Sequence, residues 1–417
     1  MQTNYKRFAL REEYFGYTFY DKQNLRHKFI LKNELDELLQ KYQINTNDYD
    51  YLPIKEKEYR KDLIYSPTRI YYELTLACNL KCKYCFNNSG KKRPSEMSTE
   101  EIIKSLYDLK ETNVMDIRFT GGEPVCHPGW YKIFKAAKDL GFAVSVNTNG
   151  YYSGSEVYDK LASLNIEQIT ISIDGTKEHH EKNRGNGTFD ITVNTLKELY
   201  KRKANLRINV LIARSSMNDI EYMCNLASKY TKEINFFAVR FFGRGKELEN
   251  EESISFEEFY DMSQKTFGLR EKYPNINIMH FEQPLIDNSS RKELKEKFGL
   301  VMCAPDGSTR FNITSDGGLW AGGYIPYIDK AMCVGNIKKD KIFNIWQFSK
   351  KLERFRIESG KLIEFCSNCP EFMKKCPGAN YEREFYRKKH PQAKNPYCIY
   401  GDSPSLLLQM IKNNDKK

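Results

Sequence analysis

Three closely spaced cysteines are the residues of this 417-residue chain that most clearly could do chemistry. Cys78, Cys82 and Cys85 form a C-x3-C-x2-C cluster directly after the strand-like segment 69–77. A [4Fe–4S] cluster normally takes four protein ligands, so a loop with three leaves one iron open to another molecule. The alternatives are a zinc knuckle or buried thiols, but structural zinc sites need four ligands and usually paired C-x2-C units. The spacing therefore favours an iron–sulfur cluster with one reactive iron.

A second group of cysteines lies near the end of the sequence. Its members have the spacing C-x2-C-x6-C-x21-C and are Cys366, Cys369, Cys376 and Cys398. Four thiolates suit either a complete iron–sulfur cluster or a tetrahedral zinc ion, and residue chemistry alone leaves both open. The chain has eleven cysteines and no signal-peptide pattern, which predicts metal ligation in a reducing cytoplasm rather than disulfides.

The elements that would position the first cysteine cluster form a repeated strand–helix pattern from residue 69 onward. The six strand candidates are residues 70–77, 116–122, 143–150, 168–175, 206–213 and 234–242. The first five are each followed by a helical pattern, such as 99–111, 130–140 and 192–203. Repeated βα units predict an α/β fold with a parallel sheet and right-handed crossovers, here an open (β/α)6 barrel. Reactive groups of such barrels lie at the carboxyl ends of the strands, where the cysteine loop begins.

The cysteine loop and a second motif together resemble the radical S-adenosylmethionine (SAM) superfamily. Tyr84, the residue before the third cysteine, is aromatic as in that family, and residues 121–124 match its GGEP element. The resemblance covers about residues 69–245. It implies that the amino and carboxylate groups of SAM chelate the open iron, and that an electron from the cluster cleaves SAM to a 5′-deoxyadenosyl radical.

The same resemblance implies which residues hold SAM. Gly121 and Gly122 would permit close backbone approach, and Glu123, followed by Pro124, would hold the SAM ammonium group. Arg184 would pair with the SAM carboxylate. Residues at the ends of the next two strands would hydrogen-bond ribose or carboxylate, and these are Asn147, Asn149, Ser172 and Asp174. Each of these strand-end residues also has an ordinary turn or cap role as its alternative.

The C-terminal cysteines, together with Cys303 and the segments SDGGLW and VGNI, resemble a SPASM domain, an iron–sulfur extension of peptide-modifying radical SAM enzymes. The resemblance favours an auxiliary [4Fe–4S] cluster over zinc. A full SPASM domain holds two auxiliary clusters, but Gly322 and Asn380 stand where further cysteine ligands are expected, and Cys333 would leave the first site short of ligands. The sequence therefore predicts one auxiliary cluster, and two clusters in total.

Four cysteines remain outside the two predicted clusters: Cys126, Cys224, Cys303 and Cys333. A free cysteine is most often a small buried hydrophobic residue. The alternative is that one donates a hydrogen atom to a substrate radical, as in related peptide epimerases. Cys126, on the same strand-end loop as Glu123, and Cys303 are the candidates for such a catalytic role.

The predicted organisation has four parts. Residues 1–65 combine a β-hairpin or meander with an amphipathic helix beginning near Asn33, and resemble a PqqD-like element that recognises peptide leaders; the alternative is a simple barrel cap. Residues 66–245 form the barrel, 246–300 a helical connection, and 301–417 the SPASM-like domain.

Composition restricts the partners. With 40% apolar and 29% charged residues and no long apolar run, the sequence predicts a cytoplasmic protein that does not enter a membrane. The net charge of +11 is scattered, without a basic block or interleaved stacking aromatics, so nucleic acid is not favoured as a partner. The family resemblance adds an external electron donor of the flavodoxin or ferredoxin type.

The favoured function is a radical SAM oxidoreductase that modifies a ribosomally made precursor peptide carrying a leader, by forming a thioether or carbon–carbon crosslink or by epimerisation. An anaerobic sulfatase-maturase-like protein oxidase, or another small-molecule radical SAM oxidase, is the first alternative. A non-catalytic iron–sulfur binding or electron-transfer protein is the second, but it would have no use for the GGEP element.

Overall fold

Two β-sheets organise the part of the chain that the computed structural model describes, which is residues 5–280, 294, 296–300 and 307–357. A four-stranded sheet has the order β3-β2-β1-β4, with strands β1 Phe8–Glu13, β2 Gly16–Asp21, β3 Arg26–Leu31 and β4 Tyr49–Leu52. A ten-stranded sheet contains the predicted barrel.

Six parallel strands of the larger sheet follow each other in chain order, which confirms the predicted partial barrel. They are β5 Arg69–Glu73, β6 Asp116–Thr120, β7 Ala143–Thr148, β8 Gln168–Ser172, β9 Leu206–Ile212 and β10 Glu233–Ala238. Beyond β10 lies a further parallel strand, β11 Asn277–His280, inside the segment predicted as a helical connection. Beyond β5 lie β12 Arg310–Ile313, which is parallel to it, and then β13 Gly318–Trp320 and β14 Gly335–Asn336.

Helices connect the strands and cover the outer face of the barrel. They are α1 Leu35–Lys41, α2 Thr99–Glu111, α3 Trp130–Asp139, α4 Ser155–Ser163, α5 Lys177–Arg184, α6 Thr188–Lys201, α7 Ile220–Tyr230, α8 Glu249–Glu252, α9 Phe256–Lys272, α10 Ile325–Ile328 and α11 Ile342–Phe348. Short 3-10 turns span Lys32–Glu34, Pro124–Cys126, Arg214–Asp219, Gly243–Leu248 and Lys330–Met332. Helix α2 has the predicted bounds because a capping box starts it: Ser98 Oγ accepts from the Glu101 amide, and the Glu101 carboxylate accepts from the Ser98 amide.

The two faces of each barrel strand differ in chemistry. Outward-pointing residues such as Ile70, Tyr72 and Phe119 are fully buried against the helices, and the Phe119 ring stacks on Phe134 with centroids 4.6 Å apart. Inward-pointing residues are largely polar, as with Arg69, Tyr71 and Glu73 on β5. Because side chains alternate along a strand, the apolar outer face holds the fold together while the inner face is available for ligands.

The N-terminal sheet packs against the amino end of the barrel. Tyr20 donates a hydrogen bond to the carboxylate of Asp116, at 2.5 Å, and Arg69 donates to the Leu25 carbonyl at 2.9 Å. The turn between β2 and β3, with Asn24 and Leu25, lines the same cavity as the barrel strands. This hairpin therefore forms the floor of the barrel.

Local details differ from the sequence predictions at the strand ends and at α1. Strand β5 ends at Glu73 rather than residue 77, because the following residues turn away to form the cysteine loop. Asn33 lies inside the 3-10 turn that precedes α1 and does not cap the helix, whereas the Glu34 carboxylate accepts from the Leu31 amide at 2.8 Å. Among the described residues, no helix has the length and apolar character needed to cross a membrane.

Candidate functional site

The cysteine loop lies at the carboxyl end of β5, as predicted, and its three thiols line one large cavity. Cys78, Cys82 and Cys85 are each partly buried, and the cavity they share has a volume of about 640 Å³. The cavity extends from this loop through the barrel interior to the β2–β3 turn. The three thiols therefore lie in a chamber large enough for a cofactor and part of a substrate, and their binding of a cluster stays a prediction.

Arg244, which the sequence analysis did not identify, holds the cysteine loop in shape. Its Nε donates to the Cys82 carbonyl at 2.9 Å and its Nη1 to the Ser89 carbonyl at 2.8 Å. Gly243 has a φ of 56°, and a Cβ there would stand 2.4 Å from the Cys85 carbonyl oxygen. The loop after β10 can approach this closely because glycine stands at that position. The G-R-G sequence of residues 243–245 was the local signal for this contact.

Two other side chains brace the cysteine loop, one from helix α5 and one from the loop before α2. Asn183 accepts from the Tyr84 amide at 3.0 Å through Oδ1, and its Nδ2 donates to Asp174 at 2.6 Å. Glu96 accepts from the Leu76 amide at 2.7 Å and from the Thr75 hydroxyl at 2.7 Å. Tyr84 is mostly buried and packs against Val239 and the residues around it. The loop is therefore fixed by contacts that do not involve its thiols.

Replacing Arg244 with alanine is expected to weaken cluster binding, because it removes two charge-assisted hydrogen bonds from the loop backbone, each of about 1.5–3 kcal/mol. Loss of such a supporting contact commonly lowers metal-site affinity by about 10- to 100-fold. Iron content and the cluster absorbance after reconstitution measure the effect. Arg202→Ala is the matched control, since Arg202 pairs with Asp159 and Glu198 on the outer surface. Equal iron retention in both variants would contradict the role given to Arg244.

Burial of the cysteine side chains disfavours their ionised form. Burial raises the pKa of the Cys78 thiol to about 12, with Glu123 and Cys82 adding to the effect. Burial also raises the pKa of Cys82, against the opposing charge of Arg184. No cluster of three or more His, Cys, Asp or Glu side chains suited to a metal ion occurs within the described ranges. Thiols in this setting require a cationic centre to be held as thiolates, which is what iron in a cluster supplies.

In the GGEP element, the two glycines line the cavity and the glutamate does not. Gly121 and Gly122 line the cavity, and a Cβ on Gly122 would stand 2.4 Å from the Ala77 carbonyl oxygen. Glu123 is 1% exposed and does not line the cavity. Its carboxylate accepts from the Asn149 amide at 2.8 Å, from the Tyr152 hydroxyl at 3.0 Å and from Thr148 at 3.0 Å. The structure thus gives Glu123 a bracing role, and its contact with the SAM ammonium group stays a prediction. Pro124 is buried at the start of the following 3-10 turn.

Asp174 and Arg184 form a buried bidentate pair on the cavity wall. Arg184 Nε donates to one carboxylate oxygen at 2.6 Å and Nη2 to the other at 3.1 Å. The pKa of Asp174, which burial would raise, is held below its usual range by Arg184. Asp174 also accepts from the Leu211 amide at 3.1 Å. These contacts fix the orientation of the Asp174–Arg184 pair. The contact of Arg184 with the SAM carboxylate stays a prediction.

Several unused acceptors face the cavity at the strand ends. Among the described residues, the buried amide oxygens of Asn147 and Asn209 have no hydrogen-bond partner, and both residues line the cavity together with Ser172. Asn149 donates to Cys78 Sγ at 3.8 Å and to Asn79 at 2.8 Å. Buried acceptors without partners are costly, so the hydroxyl and amino groups of a bound nucleoside fit the donor requirement of this wall. Asn209 was not predicted from the sequence.

The remaining cysteines have different surroundings. Cys126 ends the 3-10 turn after the GGEP element and is not among the residues that line the cavity. Cys224 is fully buried in helix α7, as expected of a small hydrophobic residue, and Cys333 is partly buried, its thiol donating to the Gly335 carbonyl at 3.2 Å. Cys303 and the four C-terminal cysteines, Cys366, Cys369, Cys376 and Cys398, lie outside the described residues.

Two family models match the chain. The model of the radical SAM superfamily matches residues 72–227, and the model of an iron–sulfur cluster-binding domain named SPASM matches residues 303–370. The first range contains the cysteine loop, the GGEP element and the Asp174–Arg184 pair. The second includes Cys303, Cys366 and Cys369.

Curated proteins with similar sequences support the same assignment, and a solved structure shares the fold. Mycofactocin maturase MftC of Mycobacterium ulcerans is 31% identical over 347 residues, which is 82% of this chain and 91% of that protein. AdoMet-dependent heme synthase of Methanosarcina barkeri is 26% identical over 359 residues, 80% of this chain and 97% of that protein. The crystal structure of Streptococcus suis SuiB bound to precursor peptide SuiA superposes with a TM-score of 0.68 at 13% identity, covering 85% of this chain and 90% of that chain.

Proposed function

Because this chain belongs to the radical SAM superfamily and carries a SPASM iron–sulfur domain, we propose that it is a peptide maturase that uses radical chemistry to alter a residue of a precursor peptide. It is an enzyme whose cofactors are SAM and [4Fe–4S] clusters. The observation that carries the proposal is the cavity of about 640 Å³, which joins the three-cysteine loop to a polar barrel interior. A chamber of this kind can hold a cofactor at one end and a substrate side chain at the other.

The comparisons support a peptide as the substrate. One relative is named a maturase of mycofactocin, and the superposed SuiB structure contains a precursor peptide. The N-terminal sheet fits a peptide-recognition element, because strands β3 and β4 are the outer strands of that sheet. An extended leader would add to such a sheet as a further strand. Thioether formation, carbon–carbon crosslinking and epimerisation are all compatible with this chemistry.

Each part of the site has a task in this proposal. When bound, the cluster at Cys78, Cys82 and Cys85 supplies the electron that cleaves SAM and yields a 5′-deoxyadenosyl radical. Arg244 and Asn183 hold the cysteine loop, and Gly121 and Gly122 let the backbone approach the cofactor. The polar groups of SAM would form hydrogen bonds with the side chains of Asn147, Ser172 and Asn209. The barrel walls and the hairpin floor exclude water from the reacting carbon.

Outside the barrel, we propose one auxiliary [4Fe–4S] cluster at Cys366, Cys369, Cys376 and Cys398, which binds substrate or accepts an electron. A donor of the flavodoxin or ferredoxin type would reduce the first cluster. Cys126 and Cys303 remain the proposed hydrogen-atom donors. The reducing, oxygen-poor cytoplasm is the proposed location of the enzyme.

The test is production of 5′-deoxyadenosine from SAM by the reconstituted, dithionite-reduced full-length protein. We expect turnover without peptide, and modification of a peptide co-expressed from a neighbouring reading frame, detected by its change in mass. Absence of 5′-deoxyadenosine would favour a non-catalytic iron–sulfur protein. Cleavage of SAM with modification of a porphyrin and of no peptide would favour a small-molecule oxidase, the alternative that the likeness to heme synthase supports.

A further inference from the structure

The barrel interior carries arginines besides Arg184, the arginine that the sequence assigned to SAM. Four arginines line the cavity at the inner face of the sheet: Arg69 on β5, Arg118 on β6, Arg207 on β9 and Arg310 on β12. Arg69 and Arg310 stand directly opposite each other on neighbouring strands. Like charges in opposite positions of a sheet repel, so the arrangement carries an electrostatic cost.

Within the part of the chain that the structure describes, two carboxylates lie beside these arginines. Asp116 pairs with Arg69, and Glu233 accepts from Gln168 at 2.7 Å. Glu73 faces the other end of the cavity, where Ser315 donates to it at 2.9 Å. Among the described residues, no carboxylate makes an ion pair with Arg118 or Arg207.

Two of the arginines have spare donor capacity. Arg118 makes its hydrogen bonds to Ser145 Oγ at 2.9 Å, to the Tyr71 hydroxyl at 3.4 Å and to Gln168 Oε1 at 3.4 Å, and the last two are long. Arg207 is only 6% exposed, and its Nε has no hydrogen-bond partner within the part of the chain that is described. Glu233 stands directly opposite Arg207 on β10, so a bound anion would add to the partial compensation that this carboxylate gives the buried guanidinium.

Tyr71 reports the positive field between these side chains. Its ring lies 5.4 Å from the Arg118 guanidinium carbon and 5.6 Å from that of Arg310. Burial would raise the pKa of Tyr71, but the charges of Arg118, Arg310, Arg69 and Arg207 bring it down to about 7. Burial and the charge of Arg118 also lower the pKa of Arg207 to about 9. The charges around Tyr71 are therefore predominantly positive.

We propose that this arginine-lined part of the barrel binds a carboxylate carried by the peptide substrate, and so selects which residue enters the chamber. The inference rests on the proposed function. Planar guanidinium groups match a carboxylate in bidentate geometry, and a peptide offers two sources of it, the chain terminus and the side chains of Asp and Glu. The cavity, of about 640 Å³, has room for one such residue beside the cofactor.

The experiment compares matched acids and amides by calorimetry on the reconstituted full-length protein with SAM. N-acetylphenylalanine and its amide probe the chain terminus, while the α-amides of N-acetylglutamate and N-acetylglutamine probe the side chain. We expect one of the two acids to bind about 10- to 100-fold more tightly than its neutral partner. The acid that shows the difference identifies the source of the carboxylate.

Variants connect that preference to the arginines. Arg207→Gln and Arg118→Gln should each reduce the acid preference to near unity, whereas Arg202→Gln on the outer surface should keep it. Equal binding of acid and amide in both pairs by the wild-type protein overturns the inference, and this comparison does not require a buried arginine variant to fold. Retention of the preference in both interior variants also overturns it. A protein that produces 5′-deoxyadenosine and modifies peptides, yet binds acids and amides alike, refutes this inference and leaves the proposed function intact.

Discussion

Replacing Cys82 with alanine is expected to reduce 5′-deoxyadenosine production to background. A [4Fe–4S] cluster held by three cysteines cannot lose one of them and keep its geometry, so iron should fall by about four atoms per chain. With one auxiliary cluster, the wild-type protein should contain about eight iron atoms and the variant about four. Iron analysis and chromatography of the reaction products measure the two effects.

The control for this variant is Cys224→Ala. Cys224 is fully buried in α7, so its loss should lower stability by about 1 kcal/mol while iron content and SAM cleavage persist. Full iron content in Cys82→Ala would remove the basis for the cluster site. Iron near twelve atoms in the wild-type protein would instead contradict the prediction of one auxiliary cluster, since it would require three clusters of about four irons each.

The second large effect is expected from Arg11→Met in the N-terminal sheet. Arg11 is fully buried, its Nε donates to Glu13 at 2.8 Å, and its Nη1 donates to Ser66 Oγ at 2.7 Å and to the Asn113 carbonyl at 3.2 Å. Removing the cation leaves the buried Glu13 carboxylate with only the Thr18 hydroxyl and the Tyr65 amide as donors among the described residues. Loss of one partner of a buried ion pair typically costs about 3–5 kcal/mol. Hydrogen exchange of the β1 and β2 amides under native conditions measures the loss of local stability.

Two further variants isolate the cause. Arg7→Met removes the Arg7–Asp21 pair, in which Arg7 has 49% of its side chain exposed, and should cost about 1 kcal/mol or less. The double variant Arg11→Met with Glu13→Gln removes both buried charges and should recover a large part of the stability. If the β1 and β2 amides exchange hydrogen at the same rate in Arg11→Met as in Arg7→Met, the buried Arg11–Glu13 pair does not hold the N-terminal sheet to the barrel.

The sequence predicts the barrel well because each strand has its own local pattern. Helix α2 was predicted with the bounds that are observed, since Ser98 and Glu101 give a complete capping signal in four residues. The strand ends were predicted too long because apolar residues such as Leu74 and Leu76 continue the β pattern although they are buried in a loop. Periodicity records burial, and it does not distinguish a strand from a buried turn.

The supporting residues of the site were harder to predict because they depend on contacts between distant parts of the chain. Arg244 reaches the Cys82 carbonyl across 162 positions of sequence. Glu123 illustrates the opposite case: its motif was recognised, but the Asn149 amide and the Tyr152 hydroxyl that surround its carboxylate were not foreseen. The four interior arginines are separated along the chain, and the parallel register of the strands brings them to one cavity.

The hairpin that closes the amino end of the barrel allows chamber size to change independently of radical chemistry. Its turn residues, including Asn24 and Leu25, line the cavity but belong to a separate sheet. Insertion or deletion in that turn would deepen or shorten the chamber and leave every barrel strand untouched. Evolution could thus fit related enzymes to larger or smaller side chains by altering a few residues far in sequence from the cysteine loop.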